Sequence, residues 1–336
     1  MINKFFEIFY PKIFINIVVE TMHTQIYIEV LSKNKLIRNI HKSFDTTAID
    51  SRIENFLYEH TKESPFYYIS LLDKSSQQGA IPTCLTNKMQ EYCDITSIQY
   101  KCYNNSWAFY TSEYDLEAIK HEYRNIGLDF IFSPFVVLAK FFKDKIEATR
   151  AMFILVEESY ISFTIFDHSK LLYASYLDMD YDKEDNLAIE HPLEDVNPLQ
   201  GLDGINIEDI ELDGGIERLD DFSAIEDLDI SSEIDEFSDD KEEISTVLAE
   251  TKAPSMENFG EDYQRFSLIQ HSLNKFYNDP KYKSEFIENI YIADAIGVSP
   301  DLKSYLEEEM FLNVYIRKID LPMALCDMAK VEADEL

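Results

Sequence analysis

Sixty-four carboxylates, seven histidines and four cysteines are the side chains in this 336-residue chain that could do acid–base, metal or nucleophilic chemistry. Their spacing argues against all three. His23, His41, His60, His121, His168, His191 and His271 are scattered, and no H-E-x-x-H pattern brings two imidazoles to one metal. Cys84, Cys93, Cys102 and Cys326 show no C-x-x-C spacing. A chain of this size builds a core without disulfide staples, so the four read as free thiols of a reducing compartment. Cys93 or Cys102 as a nucleophile would need a histidine partner that no motif supplies. Neither a G-x-S-x-G elbow nor a Walker A loop occurs. The Asp-Gly pairs at 203–204 and 213–214 do not continue into a calcium loop with its closing Glu. The expectation is therefore a chain with no catalytic, metal or cofactor residues.

The carboxylates are unevenly spread. Residues 178–250 hold 27 of them against three basic residues, so about 24 of the 34 net negative charges lie in that stretch. A chain this acidic repels phosphate backbones and anionic lipid, which argues against nucleic acid and direct membrane adsorption. No run of 18 apolar residues occurs. The start, residues 1–19, lacks the basic–apolar–small order of a signal peptide.

The elements that would position any site alternate between strand and helix. Residues 13–20, 25–31 and 36–44 are β-branched and apolar, with short polar turns between them. A helix follows, capped by Thr47 or Asp50, with Ile53, Phe56 and Leu57 on one face, and residues 66–72 return as a strand. Residues 73–96 are less regular. Strands at 98–102 and 106–111 flank an Asn104–Asn105 turn; Ser112 caps a helix that Gly127 ends; Ser133-Pro134 opens another after a strand at 128–132. Strands at 153–156, 160–167 and 171–176 form a second set. Residues 178–258 cannot bury enough apolar surface to offset ordering, about 1–2 kcal/mol per residue, and read as a disordered insert. Helices at 263–277, 300–310 and 321–329 and strands at 286–293 and 313–316 close the chain. Strand and helix alternating in both parts indicate α/β architecture. Phe5, Phe6, Ile8, Phe9 and Tyr10 read as an aromatic cluster packed on the first sheet, or as a helix that touches a membrane or partner.

This order resembles an actin-like (ribonuclease H-like) two-lobe fold with a small inserted subdomain. Its details are similar to the PilM family of type IV pilus assembly and the GspL cytoplasmic domain of type II secretion. Three stretches carry the resemblance: WAFYTSEYDLEAIKHEYRNIGLDFIFSPFVVLAKFF (107–142), FILVEESYISFTIFDHSKLLYASYL (153–177) and FSLIQHSLNKFYNDPKYKSEFIENIYIADAIGVSPDLKSYLEEEMFLNVYI (266–316). It implies a first lobe at 1–72 and 128–150, an inserted α/β subdomain at 73–127, and a second lobe at 151–177 and 259–330. The acidic disordered insert is then 178–258, and 331–336 is a tail.

Actin-like ATPases hold phosphate in turns that need Gly, a metal-binding Asp and Ser/Thr donors. Here the first turn is Val19-Glu20-Thr21-Met22-His23-Thr24, the second is Glu157-Glu158-Ser159-Tyr160, and the adenine-side loop, 293–297, keeps one glycine. The expectation is a nucleotide-free relative, not an enzyme. The resemblance implies a cytoplasmic scaffold attached to the inner membrane through its partners. It would capture the N-terminal cytoplasmic tail of a PilN-like single-pass protein in a groove between the first lobe and the inserted subdomain, among 66–72, 107–110 and 113–125. Trp107, Phe109 and Tyr110 are the groove residues it implies, with core aromatics as the plainer reading. It also implies contact with other subunits of a trans-envelope complex and a homo-oligomer within a ring. Two alternatives stay open: a PilM-like scaffold of a flagellar motor needed for motility, and a genuine actin-like ATPase.

Overall fold

Apolar β-branched runs build two five-stranded sheets with the same strand order. The structure, a computed structural model, describes residues 9–33, 35–179, 256–282 and 284–335. The disorder expected at 178–258 and the cluster around Phe5, Phe6 and Ile8 fall largely outside the described residues. Phe9 and Tyr10 lie in a turn before the first strand and are exposed.

The first sheet comprises β1 (Lys12–Val19), β2 (Thr24–Ser32), β3 (Lys35–Phe44), β4 (Phe66–Leu72) and β8 (Phe130–Phe132), in the order β3-β2-β1-β4-β8. β1 pairs antiparallel with β2 and parallel with β4; β2 is antiparallel to β3, and β4 parallel to β8. The second sheet repeats this with β9 (Arg150–Val156), β10 (Tyr160–Asp167), β11 (Lys170–Asp178), β12 (Asn289–Asp294) and β13 (Asn313–Lys318), in the order β11-β10-β9-β12-β13. A mixed sheet of this order, made twice in one chain, is the actin-like two-lobe fold. Between β4 and β8 the chain inserts an antiparallel sheet, β5-β7-β6, from β5 (Gln78–Ile81), β6 (Ile98–Tyr103) and β7 (Trp107–Ser112).

The helices follow their sequence signals. α1 (Ser51–Thr61) is capped by Asp50, whose carboxylate accepts from the N–H groups of Arg52 and Ile53. α2 (Thr86–Met89) is one turn. Ser112 caps α3 (Glu113–Glu122), and Ser133 with Pro134 at the first turn opens α4 (Pro134–Phe141). Each such cap is worth about 1 kcal/mol. α5 (Lys143–Ala148), α6 (Met256–Asn278), α7 (Pro300–Glu308) and α8 (Leu321–Glu335) complete the set. Asn104 and Asn105 adopt φ 48° and 55°, the left-handed pair of a tight hairpin turn.

The lobes are joined by exchanged helices. In α4 Phe135, Val136, Val137, Leu138 and Ala139 are all buried, and the helix packs on β9 and β10 of the second sheet. α8 runs back onto β1, β2 and β4 of the first sheet, burying Leu325, Cys326, Met328 and Ala329. One cluster therefore combines Phe14 and Leu72 with Phe153, Phe166 and Leu325. Burying each large side chain stabilises the junction by roughly 1.5–3 kcal/mol.

The thiol expectation needs a correction. Cys84 and Cys102 form a disulfide, eighteen residues apart, while Cys93 and Cys326 are free. The antiparallel β6–β7 hairpin brings Cys102 to the loop that follows β5, a pairing that sequence spacing cannot show.

Candidate functional site

The β1–β2 turn and the β9–β10 turn face each other at the mouth of the cleft between the lobes. They bond directly. Thr21 N–H donates to Glu158 Oε2 at 2.9 Å, and the Thr21 and Ser159 hydroxyls lie 2.9 Å apart. Beneath them Lys74, just past β4, donates to Glu20 Oε2 at 2.8 Å and lies 2.9 Å from Glu157 Oε2. Glu157 is 1% exposed, and Lys74 is the charged partner of its carboxylate. Burial pushes the Glu20 carboxyl up, against the pull of Lys74. Burial also lowers the Lys74 ammonium, but Glu157 and Glu20 outweigh it and hold its pKa above the ordinary lysine range.

The loop after β12 is closed in the same way. Asp294 Oδ1 accepts from the backbone N–H groups of Ile296, Gly297 and Val298 at 3.1, 2.7 and 3.1 Å. Gly297, at φ +83°, lets three successive N–H groups converge on one acceptor. Beside that loop Arg265 on α6 donates to Asp262 at 2.7 Å and Glu261 at 3.0 Å, and Asp262 accepts from Ser299 N–H at 3.2 Å. These loops enclose a cavity of about 420 Å³, lined by Thr21, Glu158, Asp262, Arg265 and Gly297 among others. Donors that would face an anion already face the protein's own carboxylates. A phosphate within about 4 Å of one of them would meet roughly 4 kcal/mol of repulsion at an effective dielectric near 20.

A second concavity lies between the first lobe and the small sheet. It is a groove of about 170 Å³ lined by Phe109, Leu116 and Ile131, with Asp73 and Tyr110 among its other residues. Strand alternation turns the Tyr110 ring to the other face of β7 from Phe109, over its register partner Gly79 and against Ile81, Met89 and Ala108. A Cβ on Gly79 would stand 2.6 Å from the Tyr110 hydroxyl oxygen, so glycine is what lets the ring lie flat there.

Of the three residues singled out from the sequence, Phe109 and Tyr110 line this groove and Trp107 does not. Trp107 is 3% exposed and sits in the main core, with ring centroids 4.9 Å from Tyr103 and 6.0 Å from Phe166 of the second lobe. It borders a separate cavity of about 200 Å³. From 66–72 the groove takes no wall residue; Asp73, the next in the chain, and Ile131 line it instead. Among the described residues no group of three or more His, Cys, Asp or Glu could hold a metal, and His60 and His168 pair with Glu63 and Asp167 on the surface. Sequence reading missed Lys74 and Asp294. The Asp-x-x-Gly run of 294–297 carried a signal for the second; a lone lysine after a strand carried none.

A family model described as "Domain of unknown function (DUF8341)" matches residues 152–334, more than half of the chain. The chain belongs to the DUF8341 family. A second model, "Domain of unknown function (DUF8569)", matches residues 9–139, so the two matches part between α4 and β9 of this DUF8341 protein. No curated protein matches it by sequence. Similar solved structures include a PilM–PilN type IV pilus biogenesis complex, at 10% identity over 94% of this chain and 98% of that one, with a TM-score of 0.48. A Bacteroides thetaiotaomicron protein with an actin-like ATPase fold is 11% identical over 94% and 96%, with a TM-score of 0.45. The ethanolamine utilization protein EutJ of Carboxydothermus hydrogenoformans is 7% identical over 95% and 89%, at 0.42. The fold of the DUF8341 chain stands on its duplicated strand order. Among its described residues no helix is long and apolar enough to cross a membrane.

Proposed function

We propose that this chain is a non-enzymatic scaffold that holds a partner's extended segment in the groove beside Phe109. The observation that carries the reading is the self-bonded cleft. Thr21, Lys74 and the 296–298 backbone spend their donors on Glu158, Glu20 and Asp294, which leaves binding rather than phosphate chemistry as the use of the fold. The groove supplies what capture needs. Apolar walls from Phe109, Leu116 and Ile131 would bury side chains at about 25 cal/mol per Å². β6, whose other side pairs with β7, is the edge of the small sheet and can extend it by main-chain hydrogen bonds.

In this reading the partner is a PilN-like single-pass inner-membrane protein and the captured segment is its N-terminal cytoplasmic tail. The chain sits at the cytoplasmic face of a trans-envelope complex of the pilus, secretion or flagellar-motor kind. One of the similar structures is a complex of PilM with PilN, the pairing extended here to the present chain.

The test is affinity purification of the tagged protein from gently solubilised membranes, beside a Phe109→Ala variant checked for folding by its melting curve. The reading expects single-pass membrane proteins with short cytoplasmic tails to come with the wild type and to be lost from the variant. Their companions name the machine. Recovery free of membrane partners, or partners indifferent to Phe109, contradicts it.

A further inference from the structure

Each five-stranded sheet has two edges, and the chain blunts three of the four. β3 carries Lys35, Arg38 and Lys42 and a register shift where it passes Val30 and Leu31. β8 is three residues long, and β11 packs against β5. β13 has six residues, an unbroken register with β12 and no proline, and among the described residues no strand pairs with its outer side. Phe311, Tyr315 and Ile316 stand at this edge, 81%, 51% and 37% exposed. An apolar edge left open in this way invites another strand.

The same edge is the open end of an aromatic stack. Phe153 of β9, Tyr291 of β12 and Tyr315 of β13 are register partners on one face of the sheet. Their ring centroids lie 5.3 and 5.0 Å apart, with planes within 13° and 16° of parallel. The backbone bonds fix which groups face outward. Asn313 N–H donates to the Glu288 carbonyl at 2.8 Å, and Ile319 N–H to the Asp294 carbonyl at 2.9 Å. Odd-numbered residues therefore face β12, and Val314, Ile316 and Lys318 turn their N–H and C=O groups outward.

We propose that β13 pairs antiparallel with β13 of a second copy of this chain, the two Tyr315 residues opposite each other on the two-fold axis. Two features make the edge complementary to itself. With Tyr315 on the axis, Val314 of one copy and Ile316 of the other form the hydrogen-bonded pairs that their outward groups require. Tyr315 then falls at a non-hydrogen-bonded position, where side chains stand closest, and six rings stack without a break across the joined sheets. The charges match as well. Arg317 is held over the Phe141 and Phe142 rings, which leaves Lys318 as the outward cation at the end of β13. Antiparallel pairing sets Lys318 opposite Leu312 of the second copy, just past the exposed Glu308 and Glu309 at the end of its α7. A two-fold interface makes each such contact twice. The inference is independent of the groove and of what the groove holds.

The experiment is sedimentation velocity of the full chain over a concentration series, with mild oxidation of cysteine variants beside it. The wild type should form a reversible dimer. Ile316→Pro removes an N–H that β12 does not use, and Tyr315→Lys sets like charges against each other on the axis. Each should raise the dimer dissociation constant about tenfold or more while circular dichroism reports intact folding. Tyr315→Cys, facing itself at a separation that suits a disulfide, should crosslink into a dimer on oxidation. Ile316→Cys, and the wild type with its free Cys93 and Cys326, should not. A chain that stays monomeric at every concentration, a dimer that survives both Ile316→Pro and Tyr315→Lys, or a Tyr315→Cys chain that fails to crosslink overturns the proposal.

Discussion

Tyr110 holds its place because Gly79 has no side chain. The ring crosses the β5 backbone where a Cβ would meet the hydroxyl oxygen at 2.6 Å. Gly79→Ala therefore has to expel the ring or part β5 from β7, an overpacking change that costs about 1–3 kcal/mol. The expected outcome is a modest fall in melting temperature. An unaltered melting temperature in Gly79→Ala would show that the ring moves aside at no cost. Trp107 behaves differently, since it is buried against Phe166 of the other lobe. Trp107→Ala should cost about 3–5 kcal/mol of stability, as for other buried aromatics, read by denaturant unfolding. A third residue-scale effect concerns pH. Hydrogen bonds from Arg150 and then His168 hold the Asp167 carboxyl below the ordinary aspartate value of 3.8. Because the folded pKa is depressed, the pair's stabilisation is present above pH 3.8 and is lost as pH falls through the folded value. Arg150→Met should flatten that acid limb of the melting-temperature profile; an unchanged limb would assign acid unfolding to other groups.

At the scale of elements, two features tie the lobes: the exchanged helices α4 and α8, and the Glu20–Lys74–Glu157 cluster that links the β1–β2 turn, the end of β4 and the β9–β10 turn. Removing only the cation leaves two buried carboxylates facing each other. Lys74→Met should destabilise by about 3–5 kcal/mol, and adding Glu20→Gln and Glu157→Gln should restore most of that loss. Chemical denaturation of the single and triple variants checks this, and a triple variant no better than the single would show that the lysine acts through packing. For α8 the expectation is similar in size. Leu325 is fully buried against the first sheet, and Leu325→Ala should cost about 2–5 kcal/mol through the cavity it leaves.

For the whole molecule, what could be read from the sequence follows how local the signal is. β1, β2, β9 and β10 are long apolar runs, and Asp50, Ser112, Ser133 and Ser299 sit at helix starts as their side chains dictate. β5 escaped notice because four residues that include Gly79 carry no usable periodicity. The 286–293 strand begins only at Asn289, since Phe286 is exposed and unpaired with the sheet. Glu157 and Glu158 were visible as carboxylates in a turn without glycine. Lys74 was not, because its role depends on three segments meeting, and the Cys84–Cys102 bridge escaped for the same reason.

The central claim is that the cleft's donors are bonded to the protein's own carboxylates, which leaves the groove as the working site. Titration calorimetry of the full chain with magnesium and ATP tests it most directly. The account predicts no saturable heat at micromolar to millimolar nucleotide and no change in melting temperature. Saturable micromolar binding, with Thr21 released from Glu158, would contradict it and return the chain to the nucleotide-driven members of its fold.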